Sequence, residues 1–142
     1  MKYDRDILTI EEVLLVEHKV ISAVLDAVEY STRVGDSFFI LSPFKDETYV
    51  VEAIEENYDS CTIVYNQGRR IDTKDRSILP LFSVGSLISM LSFNNEFDLR
   101  TSGNKWIVIF NDCEVYTSEE NELLVTFLWY VLKDLCVRGM IS

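Results

Sequence analysis

The stretch "NELLVTFLWYVLKDL", residues 121–135, limits the possible folds more than any other part of the chain. Its spacing predicts a helix, yet from Leu123 to Leu132 only Thr126 is polar. Leu124, Phe127, Leu128, Val131 and Leu135 make one apolar stripe, and Val125, Trp129, Tyr130 and Leu132 carry it round most of the girth. Two arrangements satisfy such a helix. It can lie at the centre, with a sheet on one side and another helix on the other, or it can seal an aromatic patch against a second copy. In a chain of 142 residues full enclosure is hard to arrange. The expectation is therefore a symmetric homodimer closed through Val125, Trp129 and Tyr130.

The rest of the chain alternates between helical and strand periods. Thr9 and Glu12 have capping-box spacing, followed by an apolar stripe of Val13, Val16, Val20, Val24 and Val28. After Gly35-Asp36 the period changes, and "SFFILS", "TYVVEAIE" and "CTIVYN" predict a three-stranded meander. Residues 69–78 read as a short edge strand or a loop. Ser83 is placed to cap a short helix through Leu91, and Asn94-Asn95 to end it. "EFDLRTS", "KWIVIFN" and "CEVYTS" predict a second meander with turns at Gly103-Asn104 and Asn111-Asp112. Thr117 or Ser118 would cap the last helix, and Gly139 would close it. The expected fold is one α+β domain over 1–142: two antiparallel meanders of about six strands packed with three helices, in the order α-βββ-α-βββ-α. Residues 10–78 and 83–138 form a possible near-repeat in topology, without a shared residue pattern.

The formal charge is −11, from 24 acidic and 13 basic side chains. Such a field disfavours nucleic acid and anionic lipid, which need clustered Lys and Arg, and favours encounter with a basic surface. The charge also keeps an oily protein in solution. Two acidic runs contain no base. One holds Asp46, Glu47, Glu52, Glu55, Glu56 and Asp59, and the other holds Asp112, Glu114, Glu119, Glu120 and Glu122. If the meanders lie side by side, the two runs merge into one acidic face, flanked by Tyr49 and Tyr58. Otherwise they are solvated turns and favourable charge at a helix start.

Little else points to chemistry. His18, the only histidine, sits among polar residues of the first helix, and no ligand-spaced pair accompanies it, so no metal site is expected. Cys61, Cys113 and Cys136 form no C-x-x-C pair, which suits a reducing cytoplasm. Asp112 and Glu114 beside Cys113 disfavour a thiolate there. The five glycines stand apart, so neither a P-loop nor a dinucleotide fingerprint can be drawn and no cofactor is expected. The N-terminus lacks the apolar run of a signal peptide, and no stretch is long enough to span a membrane. Basic residues gather only at "RRIDTKDR", residues 69–76, diluted by Asp72 and Asp75.

"LPLFSVGSLISML" (79–91), Trp106 on a strand and "ENELLVTFLWYVLKDL" (120–135) together resemble the layout of small uncharacterised phage and prophage proteins. The resemblance covers about the last 60 residues; it implies a bacterial or phage origin and carries over no catalytic residue. The expected function is a non-enzymatic acidic interaction protein that binds or inhibits a basic protein, as immunity proteins and phage-encoded inhibitors do. Its contact residues would be the two acidic runs. The alternative is a dimeric module that takes a nucleotide or other anion on Arg69, Arg70 or Arg100, with Trp106, Trp129 or a tyrosine stacked on the base.

Overall fold

The computed structural model describes residues 5–41, 47–56, 60–73 and 78–141. Its class is α+β, as the alternating periods predict. The described elements are four helices and two antiparallel sheets, of five and three strands.

The N-terminal helical segment is broken in two: α1 over Ile10–Leu14 and α2 over His18–Ala27. Thr9 and Glu12 form the expected capping box on α1. The uninterrupted helix predicted from the valine stripe gives way because its two parts are tethered differently. Glu12 is tied to Arg5 and, across the fold, to Thr126, whereas α2 lies against the C-terminal helix. β-branched residues resist this break weakly, since they lose side-chain freedom in a helix.

β1 (Ser37–Ile40), β2 (Thr48–Glu56), β3 (Cys61–Tyr65) and β4 (Arg69–Asp72) follow as antiparallel neighbours. β5 (Ile78–Leu81) then returns to pair with β1, giving the order β4-β3-β2-β1-β5. β5 is the strand that periodicity did not predict. Pro80 within "ILPL" removes a ladder donor, which is tolerated here because β5 is an edge strand. β1 has two buried faces: Phe39 joins the main core, and Phe38 joins a smaller apolar cluster with Val51, Ile63 and Tyr65 on the other side of the sheet.

α3 (Val84–Ser92) is capped by Ser83, whose hydroxyl accepts from the Ser86 N–H. The second sheet is the expected meander of β6 (Phe97–Ser102), β7 (Lys105–Phe110) and β8 (Glu114–Thr117). Asn111 and Asp112, both at positive φ, turn β7 into β8, a conformation these two side chains tolerate better than most.

The last helix, α4 (Leu124–Val137), begins later than expected, with Leu123 at its N-cap and no side-chain cap. Ser118 is not the cap. It is buried and bonded within the sheet, accepting from the Trp106 N–H at 2.7 Å and donating to the Glu119 carbonyl at 3.0 Å. Gly139, at φ +72°, ends α4 with the Met140 N–H returning to the Leu135 carbonyl.

The oily helix is central. Val125, Phe127, Leu128, Trp129, Val131, Leu132 and Leu135 are all buried. They share one core with Val108 and Phe110 of β7, Leu87 and Leu91 of α3, Val24 of α2 and Phe39 of β1. Trp129 is 3% exposed and Tyr130 54%. The self-association stripe expected from Val125, Trp129 and Tyr130 is therefore corrected. Two of its three members are consumed by the protomer's own core, because two sheets and two helices together cover what one layer could not.

Candidate functional site

Of the first acidic run, Glu52, Glu55 and Glu56 lie on β2 and Glu47 just before it, all four exposed. Glu47 accepts the Tyr49 hydroxyl at 2.8 Å, and that bond raises the phenol above its ordinary range. Glu52 accepts the Gln67 N–H at 3.1 Å. Glu55 pairs with Arg70 across the strands at 2.6 Å. Glu56 has no ion pair with another described residue. Asp46, Asp59 and Tyr58 lie outside the described residues.

The second run lies around the other sheet: Glu114 is on β8, Asp112 in the turn before it, and Glu119, Glu120 and Glu122 in the connection to α4. Asp112 faces Glu96 across the rim of an open bowl that Asn94, Asn95 and Asn111 also line. The hydrogen bond to Asp112, with its charge, raises the Glu96 carboxyl. Glu114 is held by Arg138 through two contacts of 2.9 Å. Arg138 also reaches Asp134 and the Tyr116 hydroxyl, so this acid clamps β8 to the end of α4. Glu119 and Glu120 are exposed. The two runs lie around different sheets, and each gives up one carboxylate to an arginine.

The three candidate anion-binding arginines are also divided. Arg69 and Arg70 are on β4 of the five-stranded sheet, and Arg100 is on β6 of the three-stranded one. Arg70 is engaged by Glu55 and Arg100 by Asp98 at 2.6 Å. Trp106 and Trp129, proposed as stacking partners for a base, are buried in the core. His18 is exposed as the first residue of α2. Cys113 is exposed, and Cys61 and Cys136 are half-buried; burial pushes the Cys136 thiol up to about 11. Among the described residues no three His, Cys, Asp or Glu side chains gather as a metal site. No described helix is long and apolar enough to cross a membrane.

One feature was not anticipated: a groove of about 420 Å³ between the end of α2, the connection after it and one face of the five-stranded sheet. Phe38, Val51, Ile54, Ile63, Ile78 and Pro80 form its apolar floor. Strand alternation puts these residues on a single face, and a register shift between Val51 and Ala53 keeps Ile54 with them. Asp26, Tyr30, Asp36 and Cys61 stand along the walls. Asp36 Oδ2 accepts both the Tyr30 hydroxyl at 3.0 Å and the Arg33 N–H at 2.9 Å. Burial, and then the Asp36 charge, push the Tyr30 phenol far above its ordinary range. Tyr30 is thus a neutral donor that fixes the carboxylate in place. The spacing Tyr30…Asp36 beside the Gly35 turn was the only sequence signal for this wall, and it reads as an ordinary loop until the sheet is folded beneath it.

The chain was compared with known protein families, with curated proteins and with solved structures, and it has no match in any of the three.

Proposed function

We propose that the protein is a non-enzymatic acidic interaction module that binds, and by occupying its surface inhibits, a basic protein partner. The observation that carries this reading is the exposed acid on β2 and in the connection before α4, in excess of its local counter-charge. Glu56 on β2 and Glu120 before α4 are exposed and form no ion pair with another described residue, within a chain of net charge −11. Carboxylates left open in this way raise the local concentration of a cationic surface and steer its approach, whereas paired ones contribute little to the outer field. The anion-binding alternative is weaker, because its arginines are split between two sheets and two of the three are neutralised.

The test is co-purification from the native host at low and high salt, followed by kinetics with the recovered partner. Glu56→Lys and Glu120→Lys together are expected to slow association by roughly tenfold and flatten its salt dependence, with little change in dissociation. Unchanged association in the double variant would overturn the reading.

A further inference from the structure

We infer that the groove beneath the end of α2 receives an apolar side chain flanked by Lys or Arg from the basic partner. The inference rests on the interaction reading and assigns it a specific pocket. The floor is built from six apolar or proline side chains, and a volume of about 420 Å³ is in the range of small ligand sites, enough for a large side chain and its neighbours. That floor rejects a bare polar group, which would lose its hydration for no partner.

The walls decide the sign of charge. Asp26 is exposed, and its carboxylate has no ion pair or hydrogen bond to another described residue. Asp36 offers a second carboxylate whose Oδ2 is held by Tyr30 and the Arg33 amide, while Oδ1 has no described hydrogen-bond donor. Two carboxylates over an apolar floor repel an anionic occupant. They favour an apolar side chain on the floor with the cationic heads of its neighbours at the rim. The occupant is therefore a basic-apolar segment, matched in charge to the groove and to the −11 field around it. Preorganisation helps, since Asp36 is oriented before anything binds and little side-chain freedom is lost on contact.

Cys61 in the groove wall reports on occupancy, and exposed Cys113 in the turn between β7 and β8 is an internal control. The full chain is pulsed with N-ethylmaleimide, and each site is quantified by peptide mass mapping. The pulse is repeated with three blocked tripeptides at millimolar concentration: Arg-Leu-Arg, Glu-Leu-Glu and Arg-Ser-Arg. Only Arg-Leu-Arg is expected to slow alkylation of Cys61, by about threefold at a concentration near twice its dissociation constant. The Cys113 rate should not move, and Asp26→Lys should abolish the protection.

Equal protection by Glu-Leu-Glu or Arg-Ser-Arg, or no protection at all, overturns the inference. Salt-sensitive capture of a basic partner with Cys61 still unprotected by any peptide would sink the groove and leave the interaction reading standing. Protection by Arg-Leu-Arg without any such capture would keep the groove as a cationic peptide site and remove the protein-partner reading.

Discussion

Glu12 is the residue on which the N-terminal segment depends. It closes the capping box with Thr9 and takes hydrogen bonds from Arg5 and from Thr126 of α4, 114 positions away. Burial pushes its carboxyl up, but the bonds from Arg5, Thr126 and the Thr9 amide, with the Arg5 charge, outweigh that and hold it below the ordinary Glu value of 4.5. A lowered folded-state value means that the ionised form stabilises the fold. The contribution is fully present above the unfolded value and is lost as the pH falls through the folded one. Glu12→Gln should therefore cost about 1–3 kcal/mol at neutral pH. In denaturant melts the gap to wild type should close as the pH drops below the ordinary carboxyl range. A gap that stays constant down to strongly acidic pH would mean the network does not depend on the charge.

At the scale of elements, α4 separates burial from exposure within three positions. Leu128 has no solvent exposure, whereas Tyr130 projects outward, with an edge contact to Tyr116 at 6.3 Å between ring centres. Leu128→Ala removes packing on all sides and should cost about 2–5 kcal/mol. Tyr130→Ala should stay within about 1 kcal/mol, the scale of one exposed aromatic pair. Comparable losses for both would show that α4 is not seated as described. The same Tyr130 variant, weighed by light scattering, tests self-association: Val125 and Trp129 are buried, and Tyr130 and Val137 are the exposed large apolar side chains that α4 offers to a second copy.

For the molecule as a whole, the charge of −11 acts against its own compactness. Adding salt at neutral pH should raise the melting temperature, because screening over about 8–10 Å relieves repulsion among exposed carboxylates. The rise should be smaller in the Glu56→Lys, Glu120→Lys chain, whose charge moves from −11 to −7, two units for each reversal. A melting temperature indifferent to salt in both proteins would mean the acids are too dispersed to repel, and would weaken the case for steering.

Local chemistry is legible where it depends on neighbours in the chain. The Thr9 and Ser83 caps, the Asn111-Asp112 turn, the Gly139 stop and the alternation of "KWIVIF" each follow from steric and hydrogen-bonding rules that act over a few residues. These suffice for the α+β class and for both meanders. Local rules are silent where a residue's partner lies far along the chain. Ser118 reads as a cap until Trp106 claims it, and the valine helix reads as continuous until Glu12 is tied to Thr126. "ILPL" carries no strand signal of its own until β1 supplies an edge that tolerates Pro80. The acidic composition is plain in the sequence, whereas its division between two regions of the fold, and the groove, arise only on folding. Periodicity states which side chains seek cover, and only long-range packing states what covers them. For the helix at 124–137 that cover is the protomer's own sheets and helices.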